Sequence, residues 1–158
     1  MKQYAKLILG SALVLALLTA GCVQKETPDA PIKVLEFVFS QEGGTAVEPE
    51  DYSAALTPYC TEDGLAFLLQ NRIGWTAKNL AAEEGCSLQP SNIEVKLDKK
   101  STQTQTATFS LVVTVTPTEG EPQTVTQTGT LQLAPKDGAL LVHSIWLENP
   151  QDLLEALD

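Results

Sequence analysis

The sequence predicts an α+β fold, with N-terminal helices packed on a curved antiparallel sheet of about four strands and a short C-terminal helix. Two observations carry this prediction. Before position 90, apolar residues recur at helical spacing and follow prolines that suit the start of a helix. From Ser91 onward, apolar residues occupy every other position, which is typical of strands with one buried face.

The first helix is predicted to begin at Pro31 and to end before Gly43 and Gly44. A strand over residues 32–39 is the alternative, because β-branched and aromatic residues are dense there. The apolar stripe of the predicted helix consists of Ile32, Leu35, Val38 and Phe39.

Further helices are predicted downstream. One begins at Pro49, and the next has Thr61 as its N-cap, because a hydroxyl there accepts a hydrogen bond from a free amide of the first turn. Residues Ala77 to Glu84 add one or two helical turns, and Asn149 with Pro150 starts the last helix.

The strands are predicted from alternation. Threonines between positions 102 and 130 alternate with apolar residues, which indicates a sheet with one solvated face. Gly129 interrupts the third strand and predicts a bulge or bend. Leu140 to Leu147 is nearly all apolar and therefore predicts a central strand. The predicted buried face carries Phe109, Leu111, Val113, Leu131 and Leu133.

The N-terminus has the pattern of an export signal. Lys2 and Lys6 precede 14 largely apolar residues, fewer than the roughly 20 that a membrane-spanning helix needs. Ala20, Gly21 and Cys22 follow, behind Leu18. This arrangement resembles the lipobox of a bacterial lipoprotein signal. An ordinary signal peptide and an uncleaved anchor helix are the alternatives.

The lipoprotein resemblance implies a domain organisation and a location. Residues 1–21 are expected to be the signal peptide, residues 22–30 a lipidated flexible tether, and residues 31–158 a single α+β domain. Acyl chains such as palmitate on Cys22 are expected to anchor the protein to the membrane. The resemblance implies the bacterial cell envelope, at the outer face of the cytoplasmic membrane.

The charge of the chain narrows the classes of partner. The formal net charge is −10, and both lysines of the signal segment precede Cys22 while all 20 acidic residues follow it. Nucleic acid binding needs clustered Lys and Arg, so nucleic acid is excluded as a partner. Anionic lipid headgroups repel an acidic protein surface, so the lipid on Cys22, rather than the protein surface, is expected to attach the protein to the membrane.

The cysteines predict a disulfide. With Cys22 lipidated, Cys60 and Cys86 remain as an even pair in a compartment where disulfides persist. Closing such a loop contributes about 3 kcal/mol in the chain-entropy model. Two buried free thiols and a metal pair are the alternatives. A metal site wants three or four ligands, and His143 is the only histidine, so no metal site is predicted.

The element order resembles the nuclear transport factor 2-like superfamily across residues 31–148. The Lys136-Asp137-Gly138 turn leading into an apolar last strand supports the resemblance. It implies a cone, in which helices pack into the concave side of a curved sheet, and enzymes of this superfamily place acid–base residues inside the cone. No residue here matches such a motif, so no catalytic residue and no cofactor are predicted.

The remaining candidate residues have structural alternatives. On strict alternation His143 shares a face with Leu141 and Ile145, which indicates a packed strand residue rather than a base. Asp51, Tyr52 and Tyr59 are candidates for a pocket rim, and Trp75 and Trp146 are expected in the core.

Two function hypotheses follow from these residues. The first is a non-enzymatic anchored domain that binds a protein or small-molecule ligand. The alternative is a small hydrolase or isomerase that uses a cone-type pocket, which buried carboxylates beside His143 would support.

Overall fold

The computed structural model describes residues 28–98 and 104–158. The predicted signal segment, Cys22 and most of the tether lie outside these residues. No helix within the described ranges is long and apolar enough to cross a membrane. In chain order the elements are α1 (Asp29–Val38), α2 (Pro49–Leu56), α3 (Glu62–Gln70), α4 (Trp75–Glu83), β1 (Ser87–Leu97), β2 (Gln105–Thr116), β3 (Gln123–Lys136), β4 (Ala139–Leu147) and α5 (Pro150–Glu155). The predicted α+β plan is confirmed.

The four strands form one antiparallel sheet in the order β1-β2-β3-β4. Strands β2 and β3 pair without interruption from Gln105 opposite Leu133 to Val115 opposite Gln123. The side chains predicted for the inner face are all buried. They form one core with Val34, Leu35 and Val38 of α1 and Leu68 of α3, which confirms that helices cover this face.

The segment with the strand alternative is helical. Helix α1 begins at Asp29, two residues before Pro31, and ends at Val38, before the glycine pair. Its C-terminal carbonyls have a partner from elsewhere, because the Lys78 ammonium donates to the backbone oxygens of Phe37 and Ser40. After the helix ends, Gln41 pairs with Leu88 of β1.

The predicted cap of α3 is confirmed. Thr61 Oγ1 accepts a hydrogen bond of 3.0 Å from the Gly64 amide. Gly64 itself faces β4, and a Cβ built on it would lie 2.9 Å from the Cα of His143 and closer still to the Val142 carbonyl oxygen. The absence of a side chain at Gly64 therefore lets α3 lie against the β4 backbone.

Gly64→Ala is expected to destabilise the protein, although alanine normally favours a helix by up to about 1 kcal/mol. Two elements of backbone must separate to admit the methyl group, and overpacking of this kind costs about 1–3 kcal/mol. Urea unfolding followed by circular dichroism measures the change. Gly43→Ala is the matched control, because a Cβ there meets only ordinary contacts at 3.5 Å. Equal stability of the two variants would contradict the close packing of α3 on β4.

The prediction of a central strand at 140–147 is wrong, because β4 is an edge strand. Its outer edge is nevertheless covered. The Val142 amide donates to the Tyr59 carbonyl oxygen at 3.0 Å, and the Thr61 amide donates to the Val142 carbonyl oxygen at 2.9 Å. The α2–α3 connection thus protects the edge against pairing with other chains, which explains why the strand is apolar without being central.

The bulge lies at His143 rather than at Gly129. Gln132 pairs with Ser144 and Leu133 with Val142, so His143 is the extra residue on β4. The strict alternation expected around His143 therefore fails, and Val142 and Ile145 are both buried. Gly129 is paired regularly with Phe109. A Cβ on Gly129 would lie 2.8 Å from the Phe109 ring, so the glycine provides space for that ring.

The predicted disulfide is not formed. Cys60 and Cys86 are free, buried thiols. The backbone of Cys60 forms an isolated β-bridge with Val142 of β4. Cys86 precedes β1, which is the opposite edge of the sheet. Two strands lie between these edges, and neighbouring strands are about 4.8 Å apart. The two edges are therefore separated by about three such spacings, whereas a disulfide needs Cα atoms within about 7 Å of each other. An even number of cysteines in the sequence carries no information about this separation.

Candidate binding cavity

A cavity of about 300 Å³ lies where α3 turns into α4 and where β4 runs into α5. We call it the α5 cavity. Most of its wall is aliphatic or aromatic, and the polar exceptions are Asn71, Arg72, Thr76 and Gln127. Its lining comprises Phe39, Phe67, Asn71, Arg72, Ile73, Gly74, Thr76, Ala77, Gln127, Ile145, Trp146, Leu147, Pro150, Leu153 and Leu154.

Gln127 is the buried polar group of this wall. It stands opposite Leu111 on the inner face of β3, with no exposed surface. Its Nε2 donates to the Asn149 carbonyl oxygen at 3.1 Å. A carbonyl can only accept, so this bond fixes which end of the amide is nitrogen. Gln127 Oε1 is left without a hydrogen-bond partner among the described residues.

Asn149 attaches α5 to the sheet beside Gln127. Its Nδ2 donates to the Thr126 carbonyl oxygen and to Asp152 Oδ2, both at 2.8 Å. Its Oδ1 accepts from the Thr128 amide at 3.3 Å. One residue therefore ties the start of a six-residue helix to β3, and Leu153 of that helix is buried against the core.

The α3–α4 turn forms the opposite wall. Arg72 and Gly74 both have positive φ, of 52° and 73°, and a Cβ on Gly74 would lie 2.6 Å from the Val38 carbonyl oxygen. The Arg72 guanidinium lies 5.5 Å from the Trp75 ring centre, and Trp75 Nε1 donates to the Val47 carbonyl oxygen at 2.8 Å. Arg72 carries the only charge among the described residues of the lining.

An exposed aromatic residue marks the rim. The Trp146 side chain is 58% exposed, and its ring meets that of Phe67 edge to face at 5.1 Å. The prediction that Trp146 belongs to the core is therefore wrong. Trp146 pairs with Thr130 and follows the buried Ile145, so its side chain lies on the face of the sheet opposite to that of Ile145, away from the core. Trp75 is partly buried and packs against the core.

The other candidate residues do not converge on the α5 cavity. His143 Nδ1 lies 3.1 Å from Thr61 Oγ1, and no hydrogen bond or ion pair joins it to a carboxylate within the described ranges. Asp51 is exposed and Tyr59 is partly buried. The Tyr52 hydroxyl donates to the Ile73 carbonyl oxygen, and burial raises the pKa of Tyr52.

The buried Cys60 thiol is not poised for chemistry at neutral pH. Burial raises the pKa of Cys60 to about 12, so this thiol stays protonated and non-nucleophilic. The described residues contain no group of three potential metal ligands. In the α5 cavity the described lining has no carboxylate, imidazole or thiol, so its chemistry is that of contact and hydrogen bonding.

Sequence reasoning missed Gln127 and Lys78. Gln127 occupies an inward position of β3, between Val125 and Gly129 in the alternation, and a polar residue at such a position was the available signal. Lys78 is 3% exposed, and its ammonium lies 4.5 Å from the Phe37 ring centre. Burial lowers the pKa of Lys78 to about 8. No sequence pattern marks a lysine that binds the end of a distant helix.

Comparison with known protein families finds no match, and comparison with curated proteins finds none either. Solved structures do match. One is CagV, a VirB8 homologue of the type IV secretion system of Helicobacter pylori, at 15% identity and a TM-score of 0.50; the match covers 73% of this chain and 90% of that one. An IcmL-like type IV secretion system protein of Legionella pneumophila has 11% identity and a TM-score of 0.55, with coverages of 76% and 88%.

A third similar structure is described as an Ntf2-like protein involved in plasmid conjugation, at 16% identity and a TM-score of 0.51. The described residues of this chain have a fold similar to that of this Ntf2-like protein. The match covers 78% of this chain and 48% of that one, so this chain spans about half the length of the conjugation protein. At these identities the likeness concerns the fold, and it supports the superfamily resemblance seen in the sequence.

Proposed function

We propose that this protein is a lipid-anchored component of the bacterial cell envelope whose folded domain binds another protein without catalysing a reaction. The observation that carries the proposal is the α5 cavity. It is mostly apolar, the buried Gln127 with its unpartnered Oε1 belongs to its lining, and an exposed tryptophan stands at its rim. Cavities with these features are typical of binding sites, and exposed aromatic residues are typical anchors of protein interfaces.

The anchoring half of the proposal rests on the sequence. The lipobox-like segment ending at Cys22 supports acylation of that cysteine, and the residues between it and Asp29 are a short polar connection. A tether of six residues reaches about 20 Å when extended. The domain would then stand close to the membrane surface, where an anchored partner complex is within reach.

The assembly half draws on the structural neighbours. Two of them are type IV secretion system proteins and a third is involved in plasmid conjugation. We propose that this domain plays an interaction role of the same kind, in an envelope assembly. The lining of the α5 cavity favours this over the hydrolase or isomerase alternative, because none of its described side chains suits proton transfer at neutral pH.

Membrane fractionation followed by native electrophoresis in mild detergent tests both halves. The parent protein is expected in the membrane fraction, with an acylated N-terminal Cys22 by mass spectrometry, and in a complex larger than itself. Cys22→Ala should leave the membrane fraction. Leu154→Trp, which fills the α5 cavity, should stay in the membrane but lose the large complex, while Thr108→Ala on the opposite sheet face keeps both. Retention of Cys22→Ala in the membrane would refute the anchor, and an unchanged complex with Leu154→Trp would refute binding through the cavity.

A further inference from the structure

We propose that the α5 cavity accepts an aromatic ring that carries one hydrogen-bond donor, such as an indole or a phenol, and that Gln127 Oε1 is the acceptor. The inference deepens the proposed function by naming the group recognised, and it also holds for a free small molecule. It rests on three features of the cavity: the orphan oxygen, the character of the wall, and the way α5 closes over them.

The orphan oxygen sets the polarity of the ligand. Gln127 Oε1 is buried and unpartnered in the described structure, and an unsatisfied buried acceptor is costly. Its neighbour Nε2 is held by the Asn149 carbonyl oxygen at 3.1 Å, so the amide cannot turn without losing that bond. The hydrogen-bond donor that pairs with Gln127 Oε1 must therefore come from outside the described residues. An N–H or O–H group satisfies this requirement, whereas a ligand that can only accept does not.

The wall sets the rest of the ligand. Phe39, Phe67 and Trp146 supply aromatic surface, and Ile145 and Leu154 supply aliphatic surface. A volume of about 300 Å³ is at the small end for ligand sites. A one- or two-ring aromatic group with a single donor matches this size and polarity, whereas a sugar or a nucleotide would leave several polar groups unpaired.

Helix α5 controls access. Gln127 Oε1 has almost no accessible surface, so a ring in the cavity reaches it when the side chains around Gln127 move apart, and Leu153 and Leu154 of α5 are among the lining residues. The helix has six residues, and its start is tied to β3 through Asn149. Short elements near a chain end open by local unfolding at a lower free-energy cost than the whole domain, and in α5 this opening must withdraw the buried Leu153. We therefore expect ligand binding to change the chemical shifts of residues along the whole of α5, and not only those of residues at the rim.

Titration of the isotopically labelled protein with indole and with benzofuran tests the donor directly. The two rings have nearly the same shape, and benzofuran replaces the N–H by an oxygen that cannot donate. Indole is expected to bind about tenfold more tightly than benzofuran, with chemical shift changes at the Gln127 side-chain amide and over residues 150–157. Equal affinity of the two rings, absence of binding by both, or shifts confined to residues outside the cavity would overturn the inference.

Gln127→Met tests the contribution of the acceptor, because it removes the Gln127 amide and keeps the apolar wall of the cavity. This side chain has a similar length and no amide, so indole should lose its advantage while benzofuran still binds. Gln132→Met, an exposed position of the same strand, is the matched control and should keep the preference. If Gln127→Met does not fold, the indole and benzofuran comparison on the parent protein still decides the matter.

Titration with short peptides distinguishes an aromatic side chain of a partner protein from a free aromatic small molecule. A tryptophan or tyrosine within a short peptide should bind more tightly than the free ring if the natural occupant is a partner's side chain. Affinity for free indole that flanking residues do not increase identifies a small-molecule site, which keeps this inference but counts against the proposed protein-binding function. Suppose instead that Leu154→Trp loses the envelope complex and that the parent protein binds indole and benzofuran equally. This result would support the protein-binding function and overturn the present inference.

Discussion

Phe109→Ala is expected to lower the free energy of unfolding by about 3–5 kcal/mol. The ring is 4% exposed and lies over Gly129 on the neighbouring strand, where a Cβ would approach it to 2.8 Å. Its loss removes a large buried side chain and opens a hole above a glycine, which has no side chain to fill it. Urea unfolding monitored by circular dichroism gives the value.

Thr108→Ala is the control for Phe109→Ala, because Thr108 is the adjacent residue of β2 and is exposed on the other face. It should change the stability by less than about 0.5 kcal/mol. A loss below about 1 kcal/mol for Phe109→Ala would mean that the ring is not part of the core, and the inner face of the sheet would then be assigned wrongly.

Lys78→Ala is expected to cost about 2–4 kcal/mol at pH 7. The ammonium donates to the carbonyl oxygens of Phe37 and Ser40, and its removal leaves the Ser40 oxygen without this donor, whereas the Phe37 oxygen keeps the Ser40 amide and hydroxyl. The aliphatic stem also loses its buried contacts. Lys33→Ala is the control, since Lys33 forms an exposed ion pair with Glu36 and should change the stability little.

The stability difference between the parent and Lys78→Ala should also depend on pH. Burial lowers the pKa of Lys78 to about 8 from its usual value of 10.5. Between these values the unfolded chain binds more protons than the folded one, so the Lys78 contribution to stability rises with pH. The penalty for charging the buried amine is present below pH 8 and is relieved as the pH approaches 10.5.

The parent protein alone would not reveal the Lys78 contribution. Burial raises the pKa of Cys60 to about 12 and also raises that of Tyr52, and these groups lower the stability of the folded state above about pH 9. Comparison with Lys78→Ala cancels their effect. Unfolding measured at pH 7, 8, 9 and 10 should show the difference growing by up to about 3 kcal/mol, and a difference that is flat or shrinks would contradict the buried cation.

Local patterns predicted the elements of this fold well. The helical spacing over α1, the cap at Thr61 and the alternation along β2 and β3 depend on spacing and on single-residue preferences, which the sequence displays. The predicted stripe of α1 was correct for Leu35 and Val38, whereas Val34 is buried in place of Ile32. The resemblance to a cone-shaped superfamily also pointed to the correct arrangement of helices on the sheet. Each of these features depends on residues that are close together in the chain.

The features that the sequence did not reveal depend on distant parts of the chain. An apolar β4 reads as a central strand unless the Tyr59–Thr61 segment is known to cover its edge. The bulge at His143 reverses the alternation and carries no glycine to mark it. The α5 cavity exists because α5 folds back over β3, and its acceptor, Gln127, is one glutamine among many polar residues of β3. Cys60 and Cys86 are separated by the width of the sheet, which composition cannot express.

Photocrosslinking in the living cell tests binding through the α5 cavity most directly. A benzophenone amino acid in place of Trp146, at the cavity rim, is compared with the same amino acid at Glu121, an exposed residue of the turn between β2 and β3. The account predicts one discrete protein adduct from position 146, none from position 121, and loss of the adduct when Leu154→Trp is added. Equal adducts from both positions, or an adduct at 146 that survives Leu154→Trp, would contradict it.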